Sequence, residues 1–184
     1  MSRGLGDVYK RQVLFGDYNP AGKLPVTFYR NVSQLPDFED YNMTGRTYRY
    51  MQDVPLFPFG YGLSYTTFGY GKTVLDKNEL TAGQSLKLTV PVTNTGKRNG
   101  EEVVQVYLRK QGDAEGPIKT LRAFKRVSIP AGKTVNVEFD LKDKELEWWD
   151  DQSNTVRVCP GNYDIMVGGS SKEEDLQRTT IAIK

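Results

Sequence analysis

The feature that most constrains the fold is a series of short runs in which apolar and polar residues alternate. The runs span residues 85–93, 103–108, 134–141 and 163–167, the second showing the pattern only in part. Turn sequences rich in glycine, proline and asparagine separate them, at 94–96, 99–100, 130–132 and 160–161. A strand of period two buries one face of a sheet, and several such strands with turns between them are typical of an antiparallel β-sandwich.

The pattern predicts an all-β fold of about seven strands, with a further strand at 178–183. Residues 142–148 are predicted to form a short helical turn. The strands are placed at 70–76, 84–94, 102–109, 119–128, 133–141, 154–158 and 162–168.

The first third of the chain differs in composition and in its hydrophobic pattern. Residues 13–67 are rich in proline, glycine, tyrosine and phenylalanine and have no sustained helical period. A segment this irregular is expected to be the tail of another domain followed by a connector. Residues 1–12 look like the translation of a sequencing-library adapter, so we expect them to be a non-native leader. The predicted division is therefore 1–12, 13–67 and a sandwich domain at 68–184.

Composition excludes several classes of function. The 25 basic and 23 acidic residues are interspersed, which gives no electrostatic footprint for nucleic acid or an anionic membrane. No apolar run is long enough to span a bilayer, and the first twelve residues lack the apolar stretch of a signal peptide. The absence of histidine excludes Ser-His-Asp and Cys-His sites and histidine-ligated metals from this chain. The single cysteine, Cys159, is predicted to be a small buried apolar residue.

Clustered carboxylates and a patch with two arginines are the candidate functional sites. We interpret the carboxylate clusters as solvated acidic faces and not as catalytic pairs, because no sequence context would raise the pKa of one carboxyl above that of its neighbour. These clusters are Asp37/Glu39/Asp40, Glu101/Glu102, Asp150/Asp151 and Glu173/Glu174/Asp175. A basic-aromatic patch could contact sugar hydroxyls, but structural bracing is preferred, with each arginine paired to an acid such as Asp37 or Glu39. The patch comprises Arg46, Tyr48, Arg49 and Tyr50.

Two aromatic features also have rival interpretations. The glycine-aromatic run at 57–68 resembles a binding loop, yet a hinge that clamps two domains is preferred. In that interpretation Gly60 and Gly62 adopt conformations closed to other residues, and Phe59, Tyr61 and Tyr65 are buried between domains. Trp148 and Trp149 suggest a carbohydrate platform. Adjacent residues of an extended chain point in opposite directions, so we expect one core residue and one at the rim.

Three groups of motifs resemble the C-terminal end of glycoside hydrolase family 3, the β-glucosidases and β-xylosidases. Residues 13–28 (VLFGDYNPAGKLPVTF) resemble the end of that family's α/β-sandwich domain. RTYRY at 46–50 and PFGYGLSYTTF at 58–68 resemble its connector. EEVVQVYL at 101–108, LRAFKRV at 121–127 and PGNYDIMVG at 160–168 resemble its fibronectin type III-like domain, an immunoglobulin-like antiparallel β-sandwich.

The resemblance implies a retaining exo-β-glycosidase that removes terminal β-linked glucose or xylose from oligosaccharides without a cofactor. In the family the Asp nucleophile and the Glu acid/base both precede the first matching motif. No residue of this chain therefore inherits a catalytic, cofactor-binding or metal-binding role. The implied partners are upstream catalytic domains, which reach the oligosaccharide, and the implied location is periplasmic or extracellular.

The expected role is a non-catalytic accessory region that stabilises those upstream domains. Residues 13–66 are then expected to be ordered mainly by a domain outside the chain. The alternative is a free-standing fibronectin-III-like binding or adhesion module, which would not need an aromatic connector before its first strand. A complete small carboxylate glycosidase is a second rival, but the chain has no room for a barrel.

Overall fold

A computed structural model describes residues 4–184 of the chain, with side chains from residue 8 onward. Three short α-helices are present: α1 (Gly4–Leu14), α2 (Thr47–Tyr50) and α3 (Asp143–Leu146). Two 3₁₀ turns lie at Val32–Gln34 and Glu173–Asp175. Of the leader expected at 1–12, residues 1–3 lie outside the described part of the chain.

Eleven strands make up the rest of the ordered structure of these residues. They are β1 (Phe68–Tyr70), β2 (Val74–Leu75), β3 (Glu79–Leu80), β4 (Leu86–Asn94), β5 (Gly100–Lys110), β6 (Thr120–Ile129), β7 (Thr134–Leu141), β8 (Trp148–Asp150), β9 (Thr155–Arg157), β10 (Gly161–Gly168) and β11 (Gln177–Ile183).

The first sheet is centred on β4. Strand β7 pairs along one edge of β4, while β1 and β2 share the other edge, all antiparallel. The single strand predicted at 70–76 is thus divided in two. The break lies beside Pro91, which has no N–H to contribute to the ladder, although its carbonyl oxygen accepts from Gly71 N at 2.8 Å.

The second sheet has the order β3-β11-β10-β5-β6. Its pairs are antiparallel except the short β3–β11 pair, which is parallel. Strands β8 and β9 form a separate antiparallel hairpin that the sequence did not predict as a pair. The two main sheets enclose the core and confirm the predicted all-β, fibronectin type III-like sandwich.

The core lies between the inner faces of the two sheets. Burial of each large aliphatic side chain there is worth about 1.5–3 kcal/mol. The contributors include Leu86, Leu88, Val90 and Val92 of β4, Val137, Phe139 and Leu141 of β7, Val104, Val106 and Leu108 of β5, Ile165 and Val167 of β10, and Ile181 and Ile183 of β11.

The outer faces of the two sheets differ. On β4 and β7 buried residues alternate with more exposed ones, so the outer face of the first sheet is open. On β5 and β10 the central residues are buried without alternation, so the second sheet is covered on both faces. What covers its outer face is the segment before β1.

A candidate interface on the outer face of the sandwich

Residues 13–67, here called the N-terminal segment, lie against the outer face of the second sheet. Tyr107 of β5 and Met166 of β10 are register partners on this face, and neither is exposed to solvent. Neither belongs to the core between the sheets. The N-terminal segment therefore buries a second, smaller apolar surface, and it is ordered at least in part by this chain's own sandwich. The expectation that order comes mainly from another domain stays a prediction for the rest of the segment.

An aromatic cluster forms the centre of this contact. The Tyr48 ring stacks on Phe59 with centroids 4.3 Å apart, and meets Tyr107 edge-on at 5.9 Å. The Tyr48 hydroxyl accepts a hydrogen bond from Leu121 N at 3.1 Å, and the Phe59 carbonyl oxygen accepts one from Ser171 N at 2.8 Å. Burial raises the pKa of Tyr107 far above its usual value, so it stays a neutral donor.

Gln105 connects the aromatic cluster to the connector backbone. Its Oε1 accepts from the Tyr107 hydroxyl at 2.6 Å, and its Nε2 donates to the Gly169 carbonyl oxygen at 2.5 Å. A Cβ at Gly60 would collide with this amide, and Gly60 has a φ of +78°, so the predicted conformation closed to other residues is confirmed there. Gly62 is not left-handed; it is constrained because a Cβ there would collide with the Gly22 carbonyl oxygen.

Asn19 holds three parts of the chain together. Its Nδ2 donates to the Asn99 carbonyl oxygen at 2.9 Å in the turn between β4 and β5. Its Oδ1 accepts from Ser64 Oγ at 2.9 Å and from Tyr65 N at 2.8 Å. The Tyr65 hydroxyl in turn donates to the Val13 carbonyl oxygen at 2.6 Å. The start and the end of the N-terminal segment are thereby fixed to the same turn of the sandwich.

Ion pairs correct the predicted acidic faces, and one of them joins the N-terminal segment to the sandwich. Glu102 is buried and its carboxylate lies 2.8 Å from Lys23 Nζ, so it is not a solvated acid. Glu173 accepts from Lys119 Nζ at 2.5 Å and also pairs with Arg178. Asp150 pairs with Arg157 at 2.6 Å. Lys23 and Lys119 lie far along the chain from their partners, so the sequence pattern could not show those two pairings.

The pKa of two of these carboxyls is low. Burial alone would raise the pKa of Glu173, but the hydrogen bonds and charges of Lys119 and Arg178 outweigh it. A hydrogen bond from Ser153 lowers the pKa of Asp150, and Arg157 lowers it further. A glycosidase acid needs a raised pKa, so neither group has the property required of a proton donor to a leaving sugar.

The basic-aromatic patch braces the segment, but not in the way predicted. Arg46 Nε donates to the Asn42 carbonyl oxygen at 2.8 Å, and its Nη2 bonds to the backbone carbonyl of Asp40. Neither Arg46 nor Arg49 has a carboxylate within salt-bridge distance among the residues described. The predicted pairing with Asp37 or Glu39 was therefore wrong, because the loop offers its carbonyl oxygens instead.

Two other side-chain predictions are confirmed. Trp148 is buried in the core and donates from Nε1 to Asp113 Oδ2 at 2.6 Å, whereas Trp149 on the opposite face of β8 is 48% exposed. Cys159 is buried with only 3% of its surface accessible. One exposed tryptophan on a hairpin does not make the carbohydrate platform that two adjacent rings suggested.

The N-terminal segment carries many apolar side chains that are exposed to solvent. All but four of the large apolar side chains that are exposed in the described part of the chain lie between residues 8 and 65. Within the segment they are Leu14, Phe15, Tyr18, Val26, Phe28, Val32, Leu35, Phe38, Tyr41, Met43, Val54, Leu56, Phe57, Leu63 and Tyr65. We call this set the exposed apolar surface. Surfaces of this kind mark protein interfaces.

Among the residues that the structure describes, no group of three metal-ligating side chains comes together. The helices within 4–184 are all too short or too polar to cross a membrane. A cleft of about 690 Å³ between the N-terminal segment and the loop at 171–175 is lined by Tyr61, Leu56, Lys119 and Glu173 among others.

Comparison with protein-family models assigns both parts of the chain. The glycosyl hydrolase family 3 C-terminal domain matches residues 10–65, and the fibronectin type III-like domain matches residues 102–171. The chain belongs to glycoside hydrolase family 3. It corresponds to the C-terminal region of that family's members, as the motifs at 13–28, 46–68 and 101–168 predict.

Relatives of this family 3 chain include enzymes named for both sugars. A xylan 1,4-β-xylosidase of Xylanibacter ruminicola is 53% identical over 93% of the chain. A periplasmic β-glucosidase of Salmonella typhimurium is 37% identical over 86% of the chain. The chain spans 20% and 22% of the length of these two relatives.

Solved structures of β-glucosidases have the same fold in this region. A β-glucosidase of Erythrobacter marinus superposes with a TM-score of 0.79 at 40% identity, over 94% of this chain and 23% of that one. A Listeria innocua β-glucosidase in complex with glucose gives a TM-score of 0.77 at 30% identity, over 95% of this chain and 26% of that one.

Proposed function

We propose that this chain is the non-catalytic accessory region of a retaining exo-β-glycosidase that hydrolyses terminal β-linked glucose or xylose. Its role is to stabilise the catalytic domains by docking on them. The observation that carries the proposal is the exposure of the N-terminal segment. Tyr48 and Phe59 pack on the sandwich, while the residues of the exposed apolar surface remain open to solvent.

The exposed apolar surface indicates where the partner binds. Apolar surfaces of this extent usually mark a site that another domain covers. The chain spans about a fifth of its relatives, so the remaining length of such proteins provides that domain. Phe124 of β6 is the register partner of Gln105, so it lies on the same outer face of the second sheet. Like the exposed apolar surface, Phe124 is open to solvent, and it extends the proposed interface onto the sandwich.

We also propose a division of the chain. Residues 13–67 are the tail of the α/β domain with its connector, 68–184 are the fibronectin type III-like domain, and 1–12 are a non-native leader. The Salmonella relative is named as periplasmic, which supports a periplasmic or extracellular location for the parent. The relatives are named for glucose and for xylose, so the proposal covers both sugars.

The absence of catalysis in this chain is part of the proposal. The carboxyls of Glu173 and Asp150 have lowered pKa values, and Glu102 is held by Lys23. None of these arrangements supplies the acid and the nucleophile of a retaining glycosidase. The purified chain should therefore release no product from an aryl β-xyloside or β-glucoside. Turnover that a single Asp or Glu substitution abolishes would overturn this part.

A chimera tests the docking role. The matching C-terminal region of the Xylanibacter xylosidase is replaced by residues 13–184, and thermal unfolding and aryl β-xyloside hydrolysis are measured. We expect the chimera to be active, and the same enzyme truncated before this region to aggregate or melt at lower temperature. Leu63→Ser and Tyr65→Ser should lower the melting temperature of the chimera.

The control for the chimera is the free chain. Leu63 is 70% exposed and Tyr65 is 46% exposed there, so Leu63→Ser should leave the unfolding of the free chain almost unchanged. Tyr65→Ser removes one hydrogen bond and should have a small effect. An equal loss in the chimera and in the free chain would show that these residues act only within the chain. It would support the alternative of an autonomous binding module.

A further inference from the structure

Two arginines lie together where the N-terminal segment meets the sandwich. Arg49 is in α2, and its carbonyl oxygen accepts from Ile118 N at 2.6 Å. Arg122 is on β6, directly after Leu121, whose N–H donates to the Tyr48 hydroxyl. These two hydrogen bonds align residues 48–49 with residues 118–122, and the Arg49 charge acts on Arg122 across this junction.

Neither arginine has an anionic partner. Nε of Arg49 and Nε of Arg122 are both buried and without an acceptor. Within the described part of the chain, no carboxylate lies within 4.0 Å of either guanidinium. Arg122 Nη2 donates to the backbone carbonyl oxygen of Glu147 at 2.6 Å and not to its carboxylate.

The two positive charges at this junction are electrostatically unfavourable. Burial lowers the pKa of Arg122, and the positive charge of Arg49 lowers it further. The charge of Glu147 acts in the opposite direction but is the weaker influence. Two partly buried like charges without an anion destabilise a structure, and arginines in such positions are normally paired.

Aromatic rings hold both groups in position. The Arg122 guanidinium lies over the Trp148 ring at 5.5 Å, and that of Arg49 lies over the Tyr50 ring at 5.7 Å. Cation–π contacts of this kind orient a guanidinium without neutralising it. Each guanidinium is thus oriented while its Nε lacks an acceptor, and a carboxylate is the planar acceptor that matches a guanidinium.

We propose that Arg49 and Arg122 bind a carboxylate, and that an Asp or Glu side chain of the preceding domain in the full-length protein supplies it. This inference rests on the proposed function. The segment that carries Arg49 also carries Phe38 and Tyr41, which are among the most exposed residues of the exposed apolar surface. A domain that covers this surface comes close to the arginine pair.

The carboxylate chemistry can be tested on the free chain by following the arginine Nε–H resonances of ¹⁵N-labelled protein. Sodium acetate is titrated at neutral pH against sodium chloride of equal ionic strength. We expect saturable shifts of the Arg49 and Arg122 resonances in acetate only, and none at the exposed Arg109. Equal shifts in both salts, or similar shifts at all arginines, would overturn the site.

Variants test whether the two arginines act together. Arg49→Gln should weaken acetate binding at Arg122 about tenfold or more, since a hydrogen bond to a charged group is lost. Arg109→Gln is the matched control and should leave acetate binding unchanged. An unchanged acetate affinity in Arg49→Gln would show that the two guanidiniums do not share a ligand, and would overturn the proposal.

The source of the carboxylate is decided in the chimera described above. If the preceding domain supplies it, acetate no longer shifts the Arg122 resonance in the chimera, and Arg49→Gln lowers the melting temperature of the chimera more than that of the free chain. If acetate still binds there, the ligand is a free anion and the interdomain proposal fails. The apolar docking test with Leu63→Ser is independent of this result, so the two proposals can fail separately.

Discussion

The Tyr48 ring stacks on the Phe59 ring with centroids 4.3 Å apart, although the two residues belong to different parts of the N-terminal segment. Tyr48 also reaches β6 through its hydroxyl, and Phe59 reaches the loop after β10 through its carbonyl oxygen. The pair therefore fastens the segment to both sides of the outer face of the second sheet.

Loss of this stack should destabilise the free chain. Phe59→Ala removes a partly buried ring and should cost about 2 kcal/mol, which corresponds to a drop of about 4–8 °C in melting temperature for a chain of this size. Leu63→Ala, at an exposed position of the same connector, is the control and should change the melting temperature little. Equal effects of the two variants would mean that the segment is not anchored at Phe59.

A second prediction concerns the close approach of two backbone segments. Gly62→Ala places a methyl group against the Gly22 carbonyl oxygen, and we expect a loss of about 1–3 kcal/mol in unfolding free energy. Gly22→Ala is the matched control, because a Cβ there meets nothing within 4 Å. Chemical denaturation of both variants measures the difference. Comparable stability of the two alanine variants would contradict the close approach.

The tryptophan pair gives a third prediction. Trp148→Ala removes a buried ring, its hydrogen bond to Asp113 and its contact with Arg122, so we expect a loss of about 3–5 kcal/mol. Trp149→Ala, one residue later at an exposed position, should cost no more than about 0.5 kcal/mol. Thermal unfolding of the two variants decides whether β8 has the predicted inward and outward faces.

The pairing of Glu173 predicts a dependence of stability on pH. Its pKa is lowered in the folded state, so the unfolded chain binds more protons in the acidic range. The stabilisation, about 1 kcal/mol or less for so exposed a carboxylate, is present above the unfolded pKa and is lost as the pH falls through the folded pKa. Glu173→Gln should make the loss of melting temperature on acidification shallower, whereas the more exposed Glu174→Gln should leave it as in the wild type.

The sequence predicts the sandwich well because the alternation of apolar and polar residues within a strand shows which of its side chains face the core. Residues 134–141 alternate strictly, and β7 is buried on alternate positions. The run at 103–108 alternates only in part because both faces of this strand are buried. Tyr107 points to the outer side, where the N-terminal segment covers it. The period of a strand shows that an outer face is apolar, but not what lies on it.

The pairing of charges was the least predictable part of the interface. Glu101 and Glu102 are adjacent acids, yet Glu101 is half-exposed beside Arg126 while Glu102 is buried against Lys23. No local pattern distinguishes them, because Lys23 is about eighty residues away and reaches Glu102 only after the N-terminal segment has packed. Arg46 was misassigned for a different reason, because its acceptors are the backbone carbonyl oxygens of Asp40 and Asn42 in its own loop and not a carboxylate.

The buried Lys23–Glu102 pair supports the last prediction. The two side chains are 17% and 7% exposed, and Nζ lies 2.8 Å from Oε1. Removing one partner of a buried pair leaves an uncompensated charge, so Lys23→Met and Glu102→Gln should each cost about 3 kcal/mol. The double variant leaves no buried charge at this position. Its loss of unfolding free energy should be smaller than the sum of the two single losses, with a coupling of about 1–3 kcal/mol.

Lys184 and Glu79 are the control, since they lie 2.7 Å apart at the surface with 65% and 61% exposure. Their coupling should be below about 0.5 kcal/mol in the same denaturation experiment. Equal coupling in the two pairs would show that the N-terminal segment does not shield Lys23 and Glu102 from water, and that its packing on the sandwich is loose.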